Sequence, residues 1–206
     1  MDVASFLSRV EVALGESDAP SELTEKALLG IRAWLDEPEH SQDLVQLEYL
    51  LSTGRIDALL DAFYQVIPFG TGGRRGAVGI GPNRINPTTI CSSVQGHAQY
   101  LARRFPNAQR SVVVAYDVRC FQDLRRIYDA SQPCSLRGLS SRDFAEMAAE
   151  VYAGNGVDVW MLPRGSGTWL STPELSFAIR HLGASGGLNL SASHNPQDDN
   201  GAKVYN

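Results

Sequence analysis

Apolar positions return at helical spacing through the first third of the chain. Val3, Phe6, Leu7, Val10 and Leu14 make one stripe, and Gly15 stands where a helix stops. Beyond the breaker Ser17-Asp18-Ala19-Pro20, a second stripe of Leu28, Ile31, Ala33, Trp34 and Leu35 runs out before Pro38. Residues 44–51 and 57–63, the latter with Leu59, Leu60 and Phe63, repeat the period. The spacing predicts a helical N-terminal extension over residues 1–65, whose scattered charges lie on solvated faces and offer packing rather than chemistry.

From residue 66 onward the pattern changes. Six glycines between Phe69 and Gly81 predict an irregular loop. Asn86 as N-cap and Pro87 in the first turn start a helix with Ile90, Val94, Ala98, Tyr100 and Leu101 on its apolar face, ended by Pro106. Residues 111–116 are a nearly unbroken apolar run suited to a buried strand, and Asp117 and Arg119 emerge at its C-terminal end as an ion pair that shapes the floor of a site. Residues 121–139 predict a helix, from Phe121, Leu124 and Ile127, and then a loop around Pro133 and Gly138. Ser140 to Asp143 cap a further helix that ends at Gly154-Asn155-Gly156, and residues 157–162 form the next strand. Thr172 caps and Pro173 opens a helix to about residue 182, and residues 187–190 close the series as a strand. Strands alternating with helices predict an α/β domain over residues 66–206, a largely parallel sheet covered by helices.

Charge and cysteine usage narrow the function classes. A net charge of -5 argues against non-specific nucleic-acid binding, which needs clustered cations to displace counterions. Cys91, Cys120 and Cys134 are odd in number and lack metal or disulfide spacing, no basic-then-apolar leader opens the chain, and no apolar run approaches membrane length. The expectation is a cytoplasmic protein with no nucleic-acid or membrane partner.

Candidate chemistry gathers at the end of the last strand, in Ser191-Ala192-Ser193-His194-Asn195-Pro196. Open α/β sheets place ligands at that end. His194 lies too close in sequence to Ser193 to presume triad geometry, and no Gly-x-Ser-x-Gly elbow exists, so a serine hydrolase is poorly supported. The loop supplies a hydroxyl able to carry a phosphoryl group, with Arg75, His194 and Lys203 as candidate positive partners for the dianion, which fits a phosphoryl carrier better than an acyl carrier. The glycine-rich loop carrying Arg74 and Arg75 can bring backbone N–H groups to phosphate, although it lacks the Gly-Lys-Ser/Thr ending of a P-loop. His97 and His181 read as structural, and the cysteines have no partner that would activate them.

These segments resemble the α-D-phosphohexomutases, the phosphoglucomutases and phosphomannomutases. Ser191 to Pro196, followed by Asn200-Gly201-x-Lys203, is similar to that family's active-site loop, with Ser191 where Thr is usual. Phe69-Gly70-Thr71-Gly72-Gly73-Arg74-Arg75-Gly76 resembles its Phe-Gly-Thr-x-Gly-Leu-Arg-Gly signature, with Arg74 replacing leucine. Ala115 to Arg119 and Pro173 to Ala178 match further segments, so the resemblance covers roughly residues 34–206. It implies a first domain with a mixed sheet, and Ser193 as a phosphoserine that exchanges its phosphoryl group with the 1 and 6 positions of a hexose phosphate through a bisphosphate. Arg75 would bind the transferring group, His194 or Lys203 would handle the hydroxyl proton, and Mg²⁺ would bind through the phosphate on Ser193. The family's Asp-Gly-Asp-x-Asp-Arg magnesium loop and its sugar and phosphate loops do not occur in this sequence. The implied partners are therefore hexose phosphate, hexose bisphosphate and the remaining domains of the enzyme, without which the chain is expected to be inactive. The helical extension and the Phe-Gly-Thr-x-Gly form resemble the phosphoglucomutase and phosphopentomutase branch, which places glucose phosphate first. The alternative is a non-catalytic phosphosugar-binding or regulatory module.

Overall fold

The computed structural model describes residues 2–206, which fall into two compact units. The first takes the chain as far as Pro68, together with Val78–Asn86 and Gln122–Arg137. Its helices are α1 (Val3–Gly15), α2 (Ser21–Asp36), α3 (Leu44–Ser52) and α4 (Ile56–Phe63), with a 3₁₀ turn at Pro38–Asp43 between α2 and α3. The predicted stripes form the core: Phe6, Val10 and Leu14 meet Ile31, Trp34, Leu47, Leu50, Leu59 and Phe63, all buried. Gly30 lets α2 pass close to α4, because a Cβ there would lie 2.4 Å from the carbonyl oxygen of Phe63. Trp34 Nε1 donates to Asp43 Oδ2 at 2.9 Å, and burial raises the Asp43 carboxyl above its ordinary range.

Gln122–Arg137 forms turns, not the helix that Phe121, Leu124 and Ile127 predict. Asp123 has a positive φ of 56°, and its carboxylate accepts from the N–H groups of Ile127 and Tyr128 at 2.8 and 3.0 Å. A side chain that bonds nearby backbone in this way competes with helix formation. The buried side chain of Asn86 donates to the carbonyls of Gly79 and Gly81 at 2.9 and 2.8 Å, which ties the Val78–Asn86 loop to itself.

The second unit is a mixed sheet with helices on both faces. Its elements are β1 (Gly73–Ala77), α5 (Pro87–Arg104), β2 (Arg110–Tyr116), α6 (Ser141–Gly154), β3 (Val157–Met161), α7 (Thr172–His181), β4 (Gly186–Leu190) and β5 (Asp199–Tyr205), with strand order β1-β5-β4-β2-β3. β3, β2 and β4 are parallel, whereas β5 runs antiparallel to β4 and β1 antiparallel to β5. On one face Val113 and Ala115 pack against Leu175, Ala178 and Ile179 of α7. The alternate positions Val112, Val114 and Tyr116 point to the other face, where α5 and α6 pack against each other.

Capping boxes start both later helices. Ser140 and Asp143 open α6 as expected, but Ser171, with Glu174, caps α7, one residue before the predicted Thr172. The predicted glycine-rich loop contains an edge strand, β1, and the closing segment is a strand as well. Among the described residues no helix is long and apolar enough to cross a membrane.

Candidate active site

The buried strand β4 delivers its C-terminal end into the loop that carries Ser191 to Asp198. Ser193 is exposed and adopts φ 57°, a left-handed conformation that a serine takes only when its surroundings impose it. Its N–H donates to Ser191 Oγ at 3.0 Å, the Asn195 N–H to the Ala192 carbonyl at 3.1 Å, and the Asn195 side chain to Asp199 Oδ2 at 3.0 Å. The result is a tight turn that points the Ser193 hydroxyl outward.

Arg119 holds the turn in place. Its Nη2 donates to the carbonyls of Ser193 and Asn195 at 2.9 and 2.8 Å, and its Nη1 to those of Pro196, Gln197 and Asp199. Its Nε meets Asp117 Oδ2 at 3.0 Å, the ion pair the sequence predicts. Asp117 Oδ1 accepts from Ser141 Oγ at 2.5 Å, and Ser141 Oγ in turn accepts from Asn200 Nδ2 at 2.9 Å. A polar chain thus runs from β5 through the start of α6 and the end of β2 to the serine turn. Sequence reasoning placed Asp117 and Arg119 in the floor but missed the clamp on the loop backbone, together with Ser141 and Asn200. The only sequence signal was an Asp-x-Arg directly after a buried strand.

The residues singled out from the sequence converge from two elements. His194 Nδ1 lies 3.5 Å from Ser193 Oγ. Arg75, on β1, pairs with Gly201 on β5, and a Cβ at Gly201 would sit 2.9 Å from Arg75 Cγ and 3.1 Å from the Ser191 carbonyl oxygen. The missing side chain of Gly201 therefore lets the Arg75 stem cross β5 beside the serine loop. Lys203 pairs with Gly73, so it shares a face with Arg75 as a diagonal neighbour at about 7–8 Å between Cβ atoms. Its ammonium stands 5.3 Å from the ring centre of Tyr205, a cation–π distance. Arg74 points to the opposite face, where Nη1 donates to the Thr89 carbonyl and Ser93 Oγ on α5 at 3.3 and 3.1 Å, and burial lowers its pKa. It is a packing residue here.

The arrangement presents a projecting hydroxyl with an imidazole beside it and two cations on the neighbouring ribbon. Among the described residues no carboxylate hydrogen-bonds His194, so the orienting third member of a hydrolase triad is missing. No group of three or more His, Cys, Asp or Glu side chains among them could hold a metal. Ser193 would contribute a single oxygen donor to a magnesium ion.

Residues 66–124 and 138–206 match the sequence model of the phosphoglucomutase/phosphomannomutase α/β/α domain I. A human phosphopentomutase is 34% identical over 173 residues, which is 84% of this chain and 26% of that protein. A phosphoglucomutase of Staphylococcus saprophyticus is 38% identical over 144 residues, 70% of this chain and 22% of the relative. A solved structure from Thermus thermophilus, assigned as a phosphomannomutase, superposes with a TM-score of 0.50 at 31% identity, covering 69% of this chain and 26% of that one. The chain thus spans about a quarter of the length of the relatives it matches.

Proposed function

The chain belongs to the phosphoglucomutase/phosphomannomutase family, of which it carries α/β/α domain I, and from that premise we propose that Ser193 is the phosphoryl carrier of a sugar-phosphate mutase. The observation that carries the reading is Ser193 itself: exposed, held at φ 57° on a turn whose backbone is clamped by Arg119, with His194 3.5 Å from its hydroxyl. A rigid, projecting hydroxyl among cations can take a phosphoryl dianion without reorganising the loop, and phosphoryl transfer depends chiefly on such positioning.

In the proposed cycle the sugar hydroxyl oxygen attacks the phosphorus on Ser193, the P–Oγ bond breaks, the hydroxyl proton passes to His194 or to Lys203 in its uncharged amine form, and Ser193 Oγ takes up a proton as it leaves. The resulting sugar bisphosphate turns over and returns its other phosphoryl group to Ser193. Arg75 neutralises charge on the transferring group from across Gly201. Mg²⁺ bound at the phosphate would add Lewis-acid charge neutralisation, with further ligands from outside this chain. Glucose phosphate is the first candidate substrate and a pentose phosphate the second, since the relatives include proteins named for each reaction.

Incubation with glucose 1,6-bisphosphate and Mg²⁺ is expected to add the mass of one phosphoryl group to the chain, and Ser193→Ala to abolish the gain. The chain alone is expected not to interconvert glucose 1-phosphate and glucose 6-phosphate. Sugar-phosphate binding without any phosphoryl gain would instead identify a non-catalytic phosphosugar-binding or regulatory module.

A further inference from the structure

We propose that the crevice at the carboxyl ends of β2 and β3 is a binding site for a small phosphate monoester whose organic part carries a flat or ring-shaped apolar face. The site is distinct from the Ser193 hydroxyl and goes beyond the carrier function. Topology makes the crevice. The chain leaves β2 toward α6 on one face of the sheet and leaves the adjacent β3 toward α7 on the other, so the two outgoing loops diverge. Open α/β sheets take their ligands in such crevices, outside the carboxyl ends of neighbouring strands. The cavity measures about 370 Å³, large enough for a small phosphorylated molecule.

Its lining favours an anion. Arg119 contributes from the end of β2, Arg142 from the first turn of α6 and Arg164 from the loop after β3. Two carboxylates answer these three guanidinium groups: Asp117 pairs with Arg119, and Glu146 is shared between Arg142, at 3.0 Å, and Arg164. The hydrogen bond from Arg164 holds Glu146 below the ordinary carboxylate range. Arg142 is fixed further by the Tyr116 hydroxyl and by the Leu162 carbonyl at 2.9 Å, so its guanidinium is positioned before any ligand arrives. Arg164 is 72% exposed and can turn toward an incoming anion.

The loop after β3 supplies the rest. Gly165 and Gly167 both have positive φ, 81° and 66°, and flank Ser166, whose N–H donates to the Pro163 carbonyl at 3.2 Å, so the segment turns tightly beside the crevice. Trp169 stands in the same wall and is 51% exposed, a large planar apolar surface that no part of the fold covers fully. A guanidinium-lined, glycine-walled crevice takes the phosphate, and the indole takes the apolar face of the group it is attached to.

Glucose 1-phosphate titrated into the ¹⁵N-labelled chain tests this, with glucose and inorganic phosphate in parallel. Saturable shifts of the Gly165, Ser166, Gly167 and Thr168 amides and the Trp169 indole are expected with glucose 1-phosphate. Glucose should move none of them, and inorganic phosphate should bind more weakly. Arg164→Gln, on the surface and spared from the core, should weaken the binding about tenfold, and Ser193→Ala should leave it intact. The proposal is overturned if these signals stay still while those of residues 191–197 move. Affinity unchanged in both Arg164→Gln and Trp169→Ala, or equal affinity for inorganic phosphate, overturns it as well. Because Ser193→Ala keeps this binding and loses the phosphoryl gain, failure here and failure of the carrier reading give different results.

Discussion

At the scale of single residues, the serine turn depends on one guanidinium and one missing side chain. Arg119 reaches five backbone carbonyls between Ser193 and Asp199 and is anchored by Asp117. Arg119→Ala removes these charge-assisted bonds and should cost about 2–4 kcal/mol in urea unfolding. It should also slow Ser193 phosphorylation about a hundredfold, since small displacements of a reacting group cost that much. Arg119→Lys keeps the charge but not the planar fork, and is expected to restore stability in part while the phosphorylation rate stays low. That split separates positioning from general support; equal recovery of both would reject it. Gly201 acts by absence. A Cβ there would lie 2.4 Å from the Arg74 carbonyl oxygen as well as against Arg75 and Ser191, and backbone cannot yield as a side-chain tip can. Gly201→Ala should destabilise the chain by about 1–3 kcal/mol and lower phosphoryl uptake at Ser193, read by urea unfolding and intact mass. Ser193, His194, Arg75 and Lys203 are legible as one group through their phosphate chemistry together with the resemblance of both loops to the family signatures. The sequence could not reveal the Arg119 clamp, whose acceptors are main-chain carbonyls and so leave no residue-type signal.

At the scale of elements, the legible parts are those whose pattern is local. The helical stripes of α1 to α4, the capping residues of α6, the buried runs of β2 and β4 and the alternation of β3 each carry their own pattern. β1 and β5 do not. Gly-Arg-Arg-Gly-Ala has no apolar alternation, and Asp-Asn-Gly at the start of β5 imitates a turn; β1 is a strand because it pairs with β5 across more than a hundred residues of chain, and β5 because it lies between β1 and β4. The segment Gln122–Arg137 fails the other way, since apolar spacing promised a helix that local and distant polar groups pre-empt. Gln46, fully buried on α3, accepts from the Asp129 N–H at 2.8 Å and donates to the Asp129, Gln132 and Pro133 carbonyls, while Arg55 donates to the Ile127 carbonyl at 3.0 Å. Within this segment residues 125–137 fall outside the match to the domain model. Gln46→Leu leaves a buried N–H and several carbonyls unpaired. It should cost about 2–4 kcal/mol and open the Asp129 amide to hydrogen exchange; protection equal to the parent chain would show that other contacts hold the turns.

At the scale of the whole molecule, stability in the sheet unit is linked to pH through a group far from the proposed chemistry. His97 on α5 is buried, with Nδ1 2.6 Å from the Tyr152 hydroxyl on α6 and Nε2 3.1 Å from Asn206 Oδ1, and its ring stacks near Tyr100. It thereby ties both helices of one layer to the residue that follows β5. Burial lowers its pKa from the ordinary 6.5, against a smaller opposing hydrogen bond that its ring N–H donates to Asn206 Oδ1. The unfolded chain therefore takes up a proton at this site at higher pH than the folded one. The His97 contribution is complete above about pH 6.5 and is lost as pH falls from there through the depressed folded value. Urea unfolding at pH 7.5 and 5.5 should show lower stability at the acid value. In His97→Gln, which cannot titrate, that difference should shrink although the variant is less stable at both. A pH dependence unchanged by His97→Gln would assign it to other groups. The sign matters for the carrier assay too. Phosphoryl uptake measured near pH 5.5 would mix loss of stability with the transfer itself, whereas measurements above pH 7 report the serine turn in a sheet unit whose His97 contacts are intact.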